Sequence, residues 1–358
     1  MTISATTQGI KPGVCTSTNR PVNPFDGQVI YMTDVDQTAV WDGSQWTVLA
    51  PIAGGRNVVI NGAMQVAQRG TTFTGLTSFQ YSLDRWKSFR LSGAPYNISQ
   101  QATSDTTNLP NIQYCARVGR ANSNTDLQLV FFSQSFESLN SRAFAGKIAT
   151  VSFYARKGAN YSAASSALKV ELNTGTGTDQ DVINGFTGQA SPINQTATLT
   201  TTWQRFTYTS TTLSSSMTQL AINFYYTPVG TAGAADYFEI TGVQVEAGSV
   251  PTPFEFEDYG TTLQKCLRYY EKGESAIFYQ IVVNGTWVPW TERLVHYKVR
   301  KRSTGAVSVT VTGGDNAAAG NGTVQSFNVD SFSHKQTVNN ASFPYCSYSM
   351  VYAVNSEL

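Results

Sequence analysis

The sequence has few residues of the kinds that enzymes use for proton or group transfer. His296 and His334 are the only histidines, and neither belongs to an HxH or HExxH pattern. A GxSxG nucleophile elbow and a GxxxxGK[ST] phosphate loop are also absent. The 23 acidic residues leave a glycosidase open, since it needs only two carboxylates at a suitable separation, but no pair stands out. We therefore predict that the chain is not an enzyme.

Aromatic and polar residues on predicted strands could instead bind sugar. Aromatic rings stack on the apolar face of a sugar, while amide, carboxylate and guanidinium groups bond its hydroxyls. If KIATVSFYARK, ALKVELN and QLAINFYY are strands with one face in the core, alternation turns five such residues outward: Tyr154, Arg156, Glu171, Asn223 and Tyr225. We predict that they line a glycan groove on the concave sheet. The alternative is an ordinary solvated face, or one covered by another subunit.

The tryptophans divide into two groups by their surroundings. Trp86 and Trp203 lie in strand contexts with apolar neighbours, which predicts core packing. Trp287 and Trp290 flank Pro289 in the loop-like GTWVPWTE, where exposure is expected. The distal part of the chain is thus a competing site for sugar or receptor contact.

These candidate residues need a β framework, and the sequence predicts one. Between Asn57 and about Phe256, segments rich in β-branched and aromatic residues alternate with turn signals, and no helical stretch separates them. This pattern predicts an antiparallel sandwich, with a jelly roll as the natural candidate. In DLQLVFF, alternation puts Leu127, Leu129 and Phe131 in the core and exposes Val130 and Phe132. The clearest segments are RWKSFRL, DLQLVFFSQSF, KIATVSFYARK, ALKVELN, WQRFTYTST, QLAINFYYT and DYFEITGVQVEAG.

Two further units flank the sandwich. QVIYMT, TAVWD and QWTVL predict three short strands in residues 1–55, a module too small to be stable without a neighbour. Apolar residues at helical spacing in TTLQKCLRYYEK predict a helix over 261–272, ended by Gly273. Strand-like segments return beyond it. The predicted domains are an N-terminal docking and oligomerisation module (1–55), a jelly roll (56–256) and a helix linker with a small β domain (257–358).

The composition of the chain indicates which kinds of partner it binds and where it folds. Charged residues make up 13% of the chain and the net charge is +1, which suits an uncharged polar partner better than nucleic acid. The basic KVRKR run, 298–302, is interpreted as an exposed strand end. The sequence lacks an apolar run long enough to span a membrane, and MTISATTQGIKPGV lacks the features of a signal peptide, so folding in the cytoplasm is expected. The four scattered cysteines are predicted to be reduced.

Three stretches resemble structural proteins of tailed phages. NVVINGAMQVAQRGTTF with SLDRWK, and later TGVQVEAGSVPTPFEFEDYGTTLQKCLRYYEK, resemble parts of phage and prophage tail fibre proteins. In those proteins the two motifs bracket a jelly roll similar to family 4 and 9 carbohydrate-binding modules. RPVNPFDGQVIYMTDVDQTAVWDGSQWTVL resembles a module near the start of many tailed-phage structural proteins. The resemblance implies a homotrimer on the virion surface, with the N-terminus toward the particle and the distal domain outward.

The same resemblance raises the question of calcium. Modules of this kind often hold a structural calcium near their first and last strands, and the stretch 57–66 is predicted to be the first strand. The paired aspartates usual in the closing strand are replaced here by Thr241 and Gly242, which weakens the case because calcium prefers several charged oxygens. No metal or other cofactor is therefore predicted. The residues that could approach a calcium ion are Asn57, Asn61, Glu239 and Glu246.

The function that the sequence supports is that of a tail fibre or receptor-binding adhesin. Its expected partners are other copies of the chain, other virion proteins through the N-terminal module, and bacterial surface polysaccharide. The protein would be made in the host cytoplasm and carried on the particle. Two alternatives remain: a structural virion component that binds no sugar, such as a connector or capsid decoration, and a polysaccharide depolymerase.

Overall fold

The structure is a computed structural model that describes residues 12–33, 37–49, 56–90, 94–280, 290–314, 317, 320–337 and 345–358. Regular structure in these residues is mostly β-strand, and their α-helices, α1 (Ser138–Ser141) and α2 (Tyr259–Leu267), are short. The predicted all-β class is confirmed. No helix in this part of the chain is long and apolar enough to cross a membrane.

The N-terminal residues form a four-stranded sheet of β1 (Gly13–Cys15), β2 (Val29–Met32), β3 (Gln37–Trp41) and β4 (Trp46–Leu49), in that order. The three predicted strands are present, and β1 adds a parallel strand beside β2. Asp42 shapes the turn between β3 and β4, because its Oδ1 accepts hydrogen bonds from the backbone N–H groups of Gln45 and Ser44. These bonds hold the pKa of the Asp42 carboxyl well below its usual value.

The central residues form the predicted jelly-roll sandwich, made of two six-stranded sheets. Sheet I has the order β14, β11, β16, β9, β8, β5, and sheet II has the order β13, β12, β15, β10, β7, β6. The strands are β5 (Thr72–Leu76), β6 (Gln80–Tyr81), β7 (Lys87–Arg90), β8 (Tyr96–Ala102), β9 (Tyr114–Arg120), β10 (Val130–Ser135), β11 (Ala149–Lys157), β12 (Ala167–Gly175), β13 (Ala190–Thr198), β14 (Gln204–Thr209), β15 (Gln219–Tyr226) and β16 (Tyr237–Ala247).

The core lies between the two sheets and is rich in aromatic rings. Trp86 is fully buried and stacks on Phe132 with 4.6 Å between ring centroids. Its indole N–H donates to the carbonyl of Asn61 at 3.1 Å, so its polar edge is satisfied. Phe153 of sheet I packs edge-on against Phe224 of sheet II at 4.9 Å. Burial of such side chains contributes about 1.5–3 kcal/mol each.

The predicted facing of β10 is wrong by one residue. Val130 and Phe132 are completely buried, whereas Phe131 lies on the outer face and Leu127 is 52% exposed. The strand begins only at Val130, so Leu127 belongs to the preceding turn and cannot set the frame. Because side chains alternate along a strand, a shift of one residue exchanges the two faces.

The stretch 57–66 is not the predicted strand. Asn61 and Met64 have φ values of 60° and 56°, and the stretch forms turns. It nevertheless lies against β16, because the Val243 N–H donates to the carbonyl of Gly62 at 3.1 Å. A Cβ atom on Gly62 would be 2.3 Å from the Val243 carbonyl oxygen. Only glycine permits this close approach.

The distal residues form two three-stranded sheets of order β17, β22, β19 and β18, β21, β20. Helix α2 ends at Leu267, earlier than predicted, and Gly273 lies inside a strand. A Cβ atom on Gly273 would be 2.5 Å from the hydroxyl of Tyr352, so this glycine makes room for a ring and does not cap the helix. The strands are β17 (Tyr270–Gln280), β18 (Trp290–His296), β19 (Ala306–Gly313), β20 (Thr323–Phe327), β21 (Ser331–Thr337) and β22 (Tyr345–Asn355).

The basic run 298–302 is only partly exposed, which corrects its interpretation as an exposed strand end. Lys301 is fully buried, and its ammonium group donates to Glu271 at 2.5 Å and to the carbonyl of Leu267 at 2.5 Å. Arg302 donates to the backbone carbonyls of Ser356 and Glu357. Lys301 therefore connects α2 with β17, and Arg302 binds the residues that follow the last strand.

A buried joint fixes the distal sheets to the sandwich. Arg85, 1% exposed, forms an ion pair with Glu357, donates to the Ser135 carbonyl at 2.7 Å and lies 3.6 Å over the Tyr269 ring. Arg69 pairs with the same carboxylate at 3.3 Å. A buried cation of this kind requires its partner, because an unpaired charge in the interior is costly.

Candidate functional site

The five residues predicted to line one groove lie on opposite faces of the sandwich. Tyr154 and Arg156 belong to β11 of sheet I, whereas Glu171, Asn223 and Tyr225 belong to β12 and β15 of sheet II. All five point away from the core, as alternation predicted, but the core separates the two groups. The prediction of a single groove is therefore wrong, because alternation assigns a face and cannot assign a strand to a sheet.

The outer face of sheet II carries a row of four aromatic rings in contact, here called the aromatic row; the Phe79–Phe89 contact is tilted and the other two are stacked. Ring centroids are 4.9 Å apart between Phe79 and Phe89, 4.4 Å between Phe89 and Phe131, and 4.6 Å between Phe131 and Tyr225. Strand pairing produces this arrangement, since Phe89 lies opposite Phe131 and Phe131 opposite Tyr225. The three phenylalanines were not predicted to be site residues; Phe131 was predicted to face the core because β10 was assigned the wrong inward face.

Tyr225 ends the row beside polar groups. Its hydroxyl donates to Glu171 Oε1 at 2.6 Å, and burial together with this carboxylate raises the pKa of Tyr225. Phe131 is the only ring stacked on Tyr225 among the described residues, so one face of the Tyr225 ring is turned toward β12. There the directly opposite residue is Lys169. Among the described residues, neither Lys169 nor Glu171 forms an ion pair.

Beyond β12, the edge strand β13 extends this surface with exposed polar side chains. Asn194 lies opposite Glu171, and Thr196 lies opposite Lys169. We call this surface the sugar platform; it combines one aromatic ring face with a carboxylate, an ammonium, an amide and a hydroxyl. The platform consists of Lys169, Glu171, Asn194, Thr196 and Tyr225.

Asn223 is a buried residue whose hydrogen bonds connect the strands that carry the platform. It is 6% exposed, and its amide donates to Asn173 Oδ1 at 2.6 Å. Asn173 in turn donates to the Ser191 hydroxyl at 2.8 Å. Asn223 is therefore a buried support of β12 and β13 and not the exposed sugar ligand that the sequence predicted.

The segment 176–189 forms a wall along one side of this face. It crosses sheet II from β12 to β7, where Asp181 pairs with Lys87. Val182 and Phe186 pack on Ala221 of β15, and the backbone N–H of Val182 donates to the Ser135 hydroxyl at 3.1 Å. The platform is thus open toward β13 and closed along the side of the wall.

The outer face of sheet I is largely covered. Leu109 and Ile112, from the loop before β9, pack with Trp203 and partly bury Tyr154. Trp203 is 5% exposed and its indole N–H donates to the Thr103 carbonyl at 3.2 Å. Trp86 packs in the sandwich core as predicted, whereas Trp203 is buried outside that core, under a loop on sheet I.

The distal candidates remain predictions. Trp287 lies outside the described residues, and for Trp290 the structure gives only its place at the start of β18. His334 is fully buried, with its ring nitrogens 3.1 Å from the Tyr348 hydroxyl and 2.7 Å from the Asn321 carbonyl. It is a satisfied interior residue, and His296 is exposed on a strand.

Two cavities of about 540 and 610 Å³ lie where α2 meets the sandwich, on either side of Asn57 and Lys265. Neither contains a residue of the sugar platform. Among the described residues their linings have no stacked ring pair like Phe131 and Tyr225, which lies at the edge of the platform. We therefore place the candidate site on the platform.

The residues named for calcium are already engaged with protein donors. Asn57 Oδ1 accepts from the backbone N–H groups of Val59 and Val245. Glu246 accepts from Thr252 and Gln244. Asn61 and Glu239 are likewise hydrogen bonded. Within the described ranges no group of three or more His, Cys, Asp or Glu residues could hold a metal ion, and the absence of a metal cofactor stays a prediction.

Comparisons with known proteins give structural likenesses only. No protein-family model matches the sequence, and no curated protein matches it. The enzymatically active domain of bacteriophage CBA120 tailspike protein 4 aligns over 54% of this chain and 21% of its own, with 10% identity and a TM-score of 0.33. A family 4 carbohydrate-binding module aligns over 52% and 97%, with 18% identity and a TM-score of 0.29. The xylan-binding domain CBM22-2 of a Paenibacillus barcinonensis protein aligns over 46% and 93%, with 13% identity and a TM-score of 0.29. The chain thus spans about a fifth of the tailspike chain.

Proposed function

We propose that this protein is a non-catalytic adhesin that binds a polysaccharide on the sugar platform of sheet II. The observation that carries the proposal is that the orientation of the Tyr225 ring is fixed. Phe131 stacks on one face of the ring, and its hydroxyl donates a hydrogen bond to Glu171. A ring fixed in this way loses little side-chain freedom when a sugar stacks on it.

The polar groups of the platform suit a largely uncharged sugar chain. Lys169 and Glu171 carry opposite charges on the same face of β12, so the platform has no net charge of its own. Asn194 and Thr196 add neutral hydrogen-bonding groups at the open edge. Hydroxyl groups of a sugar can both donate to the carboxylate and accept from the ammonium.

A binding assay with matched variants tests the proposal. The full-length protein should bind bacterial surface polysaccharide saturably, and free polysaccharide should compete, without release of reducing ends. Tyr225→Ala should weaken binding by about tenfold, corresponding to a lost stacking contact of about 1.4 kcal/mol. Tyr154→Ala, which removes a partly buried tyrosine from the other sheet, is the matched control and should bind normally.

Two outcomes of this assay would contradict the proposal. Equal binding by Tyr225→Ala and the unmutated protein, with unchanged thermal unfolding, would remove the platform from the proposal. Release of reducing ends would contradict the non-catalytic role and favour a depolymerase.

We also propose that the chain acts on the surface of a tailed-phage particle, as a homotrimeric tail fibre component docked through its N-terminal module. The support is the three sequence motifs in the expected order, together with exposed apolar side chains in the N-terminal module. Val22 is 91% exposed and Phe25 is 68% exposed, which suits a protein contact. Linked copies would raise the avidity of weak sugar sites by roughly 10² to 10⁴. Sedimentation of the purified chain tests whether it is a trimer. Mass spectrometry of purified phage particles tests whether the chain is part of them.

The same apolar side chains favour one other function, that of a structural virion component that binds no sugar. The binding assay separates the two, because a well-folded trimer that incorporates into particles but binds no polysaccharide would be such a component.

A further inference from the structure

The outer face of sheet I holds an arginine pair that the sugar platform does not use. Arg156 of β11, Glu239 of β16 and Arg117 of β9 lie directly opposite one another on three neighbouring strands. Arg117 donates twice to Glu239 Oε1, from Nε at 2.8 Å and Nη2 at 2.6 Å. Arg156 Nε donates to Glu239 Oε2 at 2.5 Å. One carboxylate therefore holds two guanidinium groups.

Aromatic rings fix the orientation of both guanidinium groups. Arg117 lies 4.1 Å over the ring of Tyr237, and Arg156 lies 4.8 Å over the ring of Trp203. Tyr237 can occupy its place because its neighbours lack side chains: a Cβ atom on Gly119 or Gly158 would lie 2.6 or 2.9 Å from the tyrosine. The two cations are therefore held in place before any ligand arrives.

The arginine pair carries a positive charge that Glu239 does not neutralise, and some of its guanidinium N–H groups form no hydrogen bond among the described residues. Glu239 is buried, whereas the side chains of Arg117 and Arg156 are 35% and 27% exposed. Two arginines that share one carboxylate leave one positive charge. Among the described residues, no hydrogen bond engages Nη1 and Nη2 of Arg156 or Nη1 of Arg117. A guanidinium group with free nitrogens offers a fork that matches the oxygens of a carboxylate, phosphate or sulfate.

The positive charge of Arg156 also acts on the carboxylate of Asp105. The Asp105 pKa is lowered, first by the Asn108 hydrogen bonds and less strongly by Arg156. Asp105 keeps its oxygens engaged by accepting from the backbone N–H groups of Thr107 and Asn108 and from the Asn108 amide. It lowers the local potential without occupying the free nitrogens of Arg156.

We propose that Arg117 and Arg156 form a binding site for an oxyanion carried by a glycan, such as the carboxylate of an acidic sugar or a phosphate substituent. The site lies on the opposite side of the sandwich from the sugar platform, so it is separate from the proposed function and does not depend on it.

Calorimetric titration of the full-length protein tests this site with three probes: inorganic phosphate, an oligogalacturonate and the same oligomer as its methyl ester. The oligogalacturonate should bind saturably, the ester should not, and affinity should fall as salt concentration rises. Arg156→Gln should weaken binding by about tenfold or more, because it removes charge-assisted hydrogen bonds. Asp105→Asn should strengthen binding, because it removes an opposing charge.

Controls distinguish this site from general basicity and from unfolding. Arg300→Gln removes an arginine that is 72% exposed and should bind like the unmutated protein. Loss of binding on esterification and in Arg156→Gln is specific to this site, because the platform contains no arginine, so the two proposals fail or succeed separately. Arg156→Lys keeps the charge, and an intermediate loss would support the role of the guanidinium fork.

Three results would overturn the proposal. The first is equal binding of the oligomer and its ester, since charge would then be irrelevant. The second is binding that Arg156→Gln and Arg117→Gln leave unchanged in folded protein. The third is binding of inorganic phosphate alone, which would show a site for a small free ion and not for a glycan.

Discussion

The hydroxyl of Tyr225 lies 2.6 Å from a carboxylate oxygen of Glu171, across the boundary between β15 and β12. Both residues were predicted to face outward, and they are the part of the predicted sugar site that the fold brings together. Their contact fixes the ring that ends the aromatic row, which makes it the most direct place to test the proposed function.

Tyr225→Phe should weaken polysaccharide binding less than Tyr225→Ala does. The variant keeps stacking against Phe131 and loses only the hydrogen bond that orients the ring against Glu171. We expect an intermediate affinity, measured by calorimetry with the same polysaccharide. An affinity as low as that of Tyr225→Ala would show that the hydroxyl, and not the ring face, makes the essential contact.

The same hydrogen bond predicts an alkaline dependence of stability. Burial, and then Glu171, raise the pKa of Tyr225 above its ordinary value of 10.0, so the folded state holds this proton more tightly than the unfolded state. The resulting stabilisation is complete below pH 10 and is lost as the pH rises through the folded pKa. Compared by urea unfolding at about pH 8 and about pH 11, the advantage of the unmutated protein over Tyr225→Phe should shrink. A constant difference would contradict the shift.

Removal of the Glu357 carboxylate should loosen the distal sheets from the sandwich. Glu357→Ala leaves Arg85 buried without its partner, and loss of one member of a buried ion pair costs about 3–5 kcal/mol. Urea unfolding and the rate of proteolysis between β16 and β17 measure the effect. Glu274→Ala, which changes an exposed glutamate on β17, is the control and should change stability by less than about 0.5 kcal/mol. Equal effects of the two variants would contradict the importance of the joint.

Gly62→Ala should destabilise the sandwich although it adds a single methyl group. The new Cβ atom would meet the Val243 carbonyl oxygen at 2.3 Å, so the backbone must shift, at a cost of about 1–3 kcal/mol. Gly313→Ala adds the same group where nothing lies within 4 Å and should be nearly neutral. Differential scanning calorimetry distinguishes them, and similar melting temperatures would contradict the predicted clash.

The sequence predicted most strands because their evidence is local. Segments such as 149–157 and 219–226 carry alternating apolar residues, and each forms a strand with the predicted inward face. The prediction of which β10 residues face the core was wrong because Leu127 belongs to a turn before the strand. The Asp126 carboxylate stabilises this turn by accepting from the Gln128 N–H at 2.9 Å. Alternation has no meaning where a strand has not yet begun.

Features that depend on distant residues could not be predicted. The division of Tyr154 and Tyr225 between two sheets is set by strand pairing, which a single sequence does not encode locally. Lys301 looks like a surface residue in a basic run, and only its partner Glu271, thirty residues earlier, explains its burial. The aromatic row likewise joins rings from three strands and the turn at Phe79.

The placement of the aromatic row on alternate positions of core strands has an evolutionary consequence. In β10 and β15, Phe131 and Tyr225 alternate with Val130, Phe132, Phe224 and Tyr226, which are fully buried. Substitutions at the outward positions alter the surface offered to a ligand, while the inward positions continue to specify the sandwich. The side chains on the outer face of sheet II can therefore diverge while the sandwich itself is inherited unchanged.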